Sequence, residues 1–520
     1  MTPLIVISLY LCITFSIGIF AWWRGRVTAD DFYISARSQG YLVTALAIMA
    51  TFFSSFAMLG APAKLYQGGI GFVFFMLNVP ICGALIWIIG KPLWALGKRN
   101  GYITPSDLVA DYFSSDTLRV LLALLGFIYI IPYAVLQFKG GGYLFEVITR
   151  SSDVHLGFFT LTGGKISFGP FTTSTHVFGA LFLASITMIY TILGGMRAVC
   201  WTDVFQGGLL VVGMLVGGII TIYLLGGLTG LFEQAAAFRD PANPGASFIT
   251  LPGPAGLFPV PMIFSFVLVA SFGTMASPSQ WMRYYSAKGP DALRKSMIIF
   301  AVVLTACYFF GTAFIGLGGR VLFPELAKPD TVYLMILEKY VPLVLASFFV
   351  TTIMAAAMST ANGNLHALSA LLTRDIYQRF LRPGGRAGQK ELVWVGRTVI
   401  AVASVFALWI ALLPNLGMIF TIGMLAMAVS MQMFPSLIGP LWWKGATRAG
   451  TVWGIILGMF ALLVAFQPSW FGIAAFGRNP LGIHYGFWGF MVNLAVLYAV
   501  SKFTSPPMPE TMERFHDTKD

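Results

Sequence analysis

Residues 350–377 read VTTIMAAAMSTANGNLHALSALLTRDIY. The stretch begins as an apolar helix and turns to small and polar residues at Ala356, Ser359, Thr360, Asn362, Asn364 and His366. It ends in the charged pair Arg374-Asp375. A lipid-facing helix has no use for such a run, because unpaired polar groups in hydrocarbon cost several kcal/mol each. Ser359 and Thr360 are neighbours, about 100° apart on a helix, and Ala356 lies one turn earlier. Two hydroxyls and a backbone carbonyl can therefore face one spot, an oxygen shell suited to a small hard cation. The plainer reading is that small residues let helices pack closely while hydroxyls bond back to the preceding turn. The stretch by itself leaves both readings open.

Outward from it, the composition decides the solvent. The 520 residues are 57% hydrophobic and only 10% charged, with a mean hydropathy of +0.80. Soluble domains carry about 25% charged residues. Repeated apolar runs of spanning length, many with interior Gly and Pro, point to an all-α polytopic membrane protein rather than a barrel. The net charge of +12 fits cationic loops on one membrane side, so no nucleic-acid partner is implied. Cys12, Cys82, Cys200 and Cys307 are scattered through apolar segments without ligand spacing and read as small core residues. The apolar run from Pro3 to Trp23 lacks a basic leader and a cleavage site, and reads as a retained span.

Thirteen candidate spans follow, at roughly 3–22, 41–67, 70–96, 119–147, 175–195, 203–225, 258–276, 296–318, 341–372, 393–413, 415–440, 449–468 and 483–502. Lys98, Arg99, Arg283, Lys288, Arg294, Lys295, Arg374, Arg379, Lys444 and Arg448 fall in loops on one side of this arrangement. The positive-inside rule then places the N-terminus outside and the C-terminus in the cytoplasm of a plasma-membrane protein. Residues 1–504 form one transmembrane domain. The stretch 505–520, with SPPMPE and mixed charges, reads as a disordered tail. Residues 151–174 read as a small external hairpin around Gly163-Gly164, and 226–257 as a loop with one short helix.

Other spans carry polar interruptions. The second holds Thr51, Ser54 and Ser55 at its middle and Gly60 and Pro62 beyond. Such a helix is either kinked for packing or broken so that its carbonyls turn toward an ion. The fourth holds Tyr133, Gln137 and Lys139. A lysine inside a span costs about 2.5–3.5 kcal/mol on insertion scales, so it snorkels outward or faces a cavity. Asp203, at the junction of the fifth and sixth spans, can pair with Arg197, cap a helix, or shape an ion path. Phe272, Gly273 and Thr274 mark a small-residue break in the seventh span, and Ser430, Gln432 and Pro435 interrupt the eleventh. No nucleophile elbow, phosphate-cradling loop or paired catalytic carboxylates stand out, so the chain does not read as an enzyme.

Five segments, DFYISARSQG (31–40), GAPAKLYQGGI (60–70), YTILGGMRAVCWTDVFQ (190–206), AAAMSTANGNLHALSALLTRDIY (355–377) and GPLWWKGATRAGTVWGIILG (439–458), together resemble the sodium:solute symporter family. That family holds proline and pantothenate permeases and sodium–sugar cotransporters. The resemblance covers nearly the whole chain. It implies a leucine-transporter-type core of five spans repeated in inverted orientation, about 41–440, with one extra span before it and two after.

Carried over by motif, it implies one sodium ion held by the carbonyls of Ala50, Phe53 and Ala356 and the hydroxyls of Ser359 and Thr360. Asp203 matches an aspartate near the ion path. Asn362 and Gly363 stand where some members place two further hydroxyls, so a single ion is expected. The substrate cavity is expected among Ser54, Ser55, Tyr133, Gln137, Lys139, Phe272, Thr274 and Gln432. The expected activity is sodium-coupled import of a small carboxylate or amino-acid-like solute by alternating access, with Lys139 facing a carboxylate. Proton coupling through Lys139, Asp203 or His366, or a transporter-derived sensor, are the alternatives.

Overall fold

The computed structural model describes residues 2–24, 28–150, 154–156, 159–240, 243–384, 387–473 and 477–516. Helices dominate, and each is named here where it enters. The chain opens with α1 (Thr2–Arg24). Beyond a short helix at Ala29–Ile34 comes a discontinuous helix made of α2 (Tyr41–Phe52), a single π-turn at Phe56–Gly60, and α3 (Ala61–Gly68). After α4 (Pro105–Tyr112), the long α5 (Asp116–Ile148) carries Pro132 in its interior. A four-stranded antiparallel meander follows: β1 (Val154–Leu156), β2 (Phe159–Thr162), β3 (Lys165–Phe168) and β4 (Phe171–Ser174). Its register pairs Leu161 with Ile166 and Lys165 with Ser174.

The next helical run, α6 (Thr175–Leu224), passes through Gly195 at φ 59° and ψ −162°. Only glycine adopts such a conformation without strain, so the run is two helices joined at a sharp break. Residues 226–257 hold the helix Gly227–Ala237 and a two-stranded ribbon of Arg239–Asp240 with Asn243–Ser247. Then α7 (Val260–Met275) and α8 (Pro278–Ser286) form a pair bent by 51°. Later come α9 (Leu343–Ala370), α10 (Ile419–Met431), α11 (Arg448–Phe466) and α12 (Tyr485–Lys502).

Among the described residues, eight helices are long and apolar enough to cross a membrane, nine if the bent pair counts as one. Two further apolar stretches are Ile5–Ala21, the continuous part of α1 whose side chains are described, and Tyr41–Phe52. The expected thirteen is not reproduced by this measure. The helices run through breaks that the hydropathy pattern divides: 175–224 joins two expected spans, and Phe56–Asn100 joins the end of one to the next.

The interior belongs to α9. Every residue from Phe349 to Ala370 is buried, and α1, α2, α5, α6 and α8 all pack on it. The polar run from Ala356 to His366 therefore meets protein on every side. By contrast, Gln389–Ala411 is buried over only 33% of its apolar window and leaves Trp394, Val402, Val405 and Trp409 outward.

The stretch expected to be a disordered tail carries α13 (Pro509–His516); residues 517–520 lie outside the described residues. Phe515 is buried against Tyr112, centroids 5.0 Å apart, and Arg514 pairs with Asp111 at 2.7 Å. One aromatic anchor and one ion pair hold a short helix that would be marginal by itself.

Candidate functional site

The break after α2 sets the site. In a continuing helix the amide of Ser54 would take the Ala50 carbonyl, and that of Ser55 the Thr51 carbonyl. Instead the Ser54 N–H donates to Phe52 O at 2.9 Å. The Ser55 N–H donates to Gln137 Oε1, from α5, at 2.9 Å. The Ala57 N–H turns to Ser54 O. The carbonyls of Ala50, Thr51 and Phe53 are thereby released from helix bonding.

Two hydroxyls from α9 arrive at these carbonyls. Ser359 Oγ lies 3.1 Å from Ala50 O and 3.1 Å from Ala356 O. Thr360 Oγ1 lies 3.2 Å from Ala50 O, 3.4 Å from Thr51 O and 3.5 Å from Phe53 O. A hydroxyl has one proton to donate, so Thr360 can serve only one of its three carbonyls. The remaining contacts set oxygen against oxygen in a fully buried place, which is the arrangement of a cation shell. Oxygen–oxygen edges of 3.1–3.5 Å correspond, for an octahedral shell, to metal–oxygen distances of about 2.2–2.5 Å, within the range of hard cations held by oxygen. No carboxylate takes part, so the shell suits a monovalent rather than a divalent ion. Thr51 O was not among the expected ligands. It lies inside the break between Ala50 and Phe53, and the carbonyl's release depends on Gln137.

Beside the break is a cavity of about 10 Å³, lined by Phe52, Phe56, Phe75, Asn78, Tyr133, Ala270, Thr274, Tyr308 and Met427. It has room for about one water, so the site is closed around a space that must widen to admit a solute. Tyr133 and Thr274, expected to bind substrate, line it. Ser54 and Ser55 lie buried at the break, their hydroxyls without a hydrogen-bond partner among the described residues. Asn78, Phe75 and Tyr308 also line the cavity and went unread in the sequence, because an asparagine or tyrosine in an apolar span carries no local sign of what it faces.

The other expected substrate residues lie elsewhere. Gln137 holds the break and also donates to Tyr133 O at 3.2 Å. Gln432 donates to Gly486 O at 3.2 Å and receives Asn493 Nδ2, joining α10 to α12. Phe272 packs edge-on against Phe434, 4.6 Å between centroids. Lys139 donates to Gly417 O, at the end of α5 nearest the meander.

Asp203 sits inside α6, well past the Gly195 break, so it caps no helix. Its partner is Arg283 from α8, at 3.0 Å with both side chains buried, while Arg197 pairs with Asp31. A Cβ added at Gly363 would fall 2.5 Å from Arg283 Nη2. The guanidinium thus rests on α9 one turn beyond Ser359 and Thr360. Next to it, Asn362 Nδ2 donates to Tyr190 OH at 2.7 Å. His366 is enclosed by Phe32 and Tyr33, with ring centroids at 5.1 and 5.8 Å. Among the described residues no group of three His, Cys, Asp or Glu side chains gathers as a metal site.

The chain matches the sodium:solute symporter family over residues 32–166 and 171–458. It is 27% identical over 516 residues to the sodium/proline symporter of Staphylococcus aureus strain JH9, covering 97% of this chain and 93% of that protein; the strain Mu3 protein gives the same figures. In structure it is similar to a Na+-coupled sialic acid symporter in a substrate-bound outward-open state, with TM-score 0.74, 18% identity and 98% of each chain covered. It is also similar to Mhp1, a nucleobase-cation-symport-1 family transporter, with TM-score 0.52, 15% identity, and 93% and 97% covered.

Proposed function

The chain belongs to the sodium:solute symporter family, and from that premise we propose that it couples the inward movement of one sodium ion to import of a small amino-acid-like or carboxylate solute. The observation that carries this is the meeting of Ser359 and Thr360 with the released carbonyls of α2 at 3.1–3.5 Å. Ala50, Thr51, Phe53 and Ala356 supply carbonyl oxygens to the ion, and Ser359 and Thr360 their hydroxyls. Arg283 occupies the place next to Gly363, so one cation is taken rather than two.

The solute lies in the cavity between Phe52, Phe56, Tyr133 and Thr274. Its apolar body meets the aromatic walls, and its polar end meets Asn78, Thr274 and the free hydroxyls of Ser54 and Ser55. No charged side chain lines this cavity. A carboxylate is therefore neutralised by the nearby ion and by backbone dipoles of the break rather than by Lys139. The relatives named for sodium and proline support an amino-acid-like solute.

Phe52 connects the two sites. It ends α2, lies beside the ion's carbonyl ligands, and lines the cavity. An ion drawing α2 onto α9 therefore shapes the solute site, and by linkage each ligand raises the other's affinity by the same factor. With the N-terminus outside and the C-terminus in the cytoplasm, the membrane potential adds about 2.3 kcal/mol per charge per 100 mV to inward movement.

The test is uptake by the full-length protein in proteoliposomes under an imposed sodium gradient, offering amino acids, small carboxylates and sugars. Sodium-dependent uptake of an amino acid or small carboxylate is expected. Uptake driven by a pH gradient and indifferent to sodium would overturn the assignment.

A further inference from the structure

The end of the cavity toward the meander is closed by an aromatic plug. Phe420, in the first turn of α10, stacks on Phe56 at 5.0 Å and meets Phe72 at 5.0 Å and Phe75 at 5.8 Å. Phe56 and Phe75 are cavity walls. The fit against the π-turn is tight: a Cβ added at Gly60 would lie 3.0 Å from Phe420 N. Any opening on this side has to move the start of α10.

That start is held by two charges from other parts of the chain. A helix's first amides have no partner within the helix. The residue preceding α10, Met418, offers no side-chain cap. Asp330, from the turn Pro329–Thr331, takes the Ile419 N–H through Oδ2 at 3.1 Å, as a carboxylate at a helix N-terminus does. On the other side, Lys139 Nζ from α5 donates to Gly417 O. Gly417 has φ +76°, a conformation that presents its carbonyl away from the helix line and is strained for other residues. Asp330 and Lys139 attract one another. The Pro329–Thr331 turn is tied to the end of α5 by the Lys328–Glu146 pair at 2.6 Å. The backbone on both sides of Met418 is thus gripped by opposite charges on elements outside α10.

We infer that Lys139 and Asp330 form a latch that holds Phe420 shut over the substrate cavity, so that they position the gate rather than touch the solute. The inference rests on the transport reading, since a gate presupposes passage. Asp330 and Lys139 are both buried, so their two bonds part only together with the start of α10, and the aromatic contacts behind them are not directional. When the latch parts, the first turn of α10 swings and carries Phe420 off Phe56 and Phe75.

The test reads access to the cavity and needs neither solute nor sodium. Cys12, Cys82, Cys200 and Cys307 are replaced in the full-length protein, Thr274→Cys is added, and the protein is placed in oriented vesicles. A membrane-impermeant maleimide is supplied on the meander face. Lys139→Met and Asp330→Ala are each expected to raise the labelling rate about 10-fold, a shift of the closed–open population. Lys139→Arg, which keeps a donor, should stay close to the parent. The double variant should label no faster than the faster single variant, because both substitutions open one latch. Unchanged labelling in Lys139→Met, multiplying effects in the double variant, or acceleration only from the opposite face would each overturn the latch. If Asp330→Ala fails to fold, the Lys139 pair of variants decides alone. Sodium-driven uptake, measured separately, tests the transport reading, so either can fail while the other stands.

Discussion

Two buried polar clusters sit on the same helical run, Leu343–Leu381, and they are built on opposite principles. At its middle, Ser359 and Thr360 face carbonyl oxygens with no formal charge present. Near its end, Asp375 Oδ1 meets Arg119 Nη1 at 2.6 Å and receives Thr104 Oγ1 at 3.1 Å. The same Arg119 nitrogen meets Asp107 Oδ1 at 2.7 Å. Asp107 also accepts the amides of Ile103 and Thr104. Burial pushes its carboxyl up, but Arg374 and Arg119 outweigh that and hold it below the usual carboxylate range. In this cluster every charge has a resident partner, and removing one strands the others. In the first, the oxygens outnumber the protons, and on the proposed function a transported cation answers them. Fixed charges lock helices together, whereas dipoles released by a broken helix are left for the reversible binding proposed above.

Arg119→Leu should break the comparison most severely if the contrast is wrong. It leaves the buried Asp375 and the partly exposed Asp107 facing one another, and loss of one partner of a fully buried pair costs about 3–5 kcal/mol. Thermal unfolding in detergent should show a much lower Tm, and an unchanged Tm would mean the cluster is no lock. The Ser359→Ala, Thr360→Ala double variant should do the reverse. Tm should move little, while half-saturating sodium in uptake rises about 10- to 100-fold, at about 1 ± 0.5 kcal/mol per hydroxyl bond. Thr360→Ser should recover most of that loss.

Gln137→Ala sharpens the contrast further. It withdraws the acceptor of the Ser55 amide and lets α2 extend over its freed carbonyls, so half-saturating sodium should rise about 5- to 10-fold, equivalent to one lost buried hydrogen bond. The smallest effect concerns the latch. Burial pushes the Asp330 carboxyl up to about 6, with the Ile419 amide and Lys139 drawing it back. A raised carboxyl is ionised above that value and neutral below it, so the latch holds above pH 6 and loosens as pH falls through it. Lys139 and Tyr143 on α5 face Asp330, and Lys328, Glu146 and His176 surround them. Labelling at Thr274→Cys from the meander face should therefore rise about 2- to 3-fold on acidification. Asp330→Asn should abolish that rise; persistence would mean that Asp330 does not carry it.

The readable part of this protein was the part written in local pattern. Small and polar residues in an apolar run, at Ala356, Ser359 and Thr360, mark a helix that cannot face lipid, and it lies at the centre with all sides covered. The hydroxyls and Gly60-Ala61-Pro62 of the second span marked a helix open to breaking. What stayed hidden was partnership. Asp203 had Arg197 nearby in the chain and pairs with Arg283, 80 residues away. Lys139 had the look of a substrate clamp and grips Gly417, 278 residues on. Phe515 lay in a polar tail and is buried between helices.

Polarity and periodicity are properties of a segment, so the amino-acid order alone determined the membrane solvent, the helical class and the polar seam of α9. The release of the Ala50, Thr51 and Phe53 carbonyls, and which charge answers which, were decided only by tertiary structure. A backbone oxygen is freed for other partners when the amide that would pair with it is taken elsewhere, and here the takers include Gln137, 82 residues from Ser55.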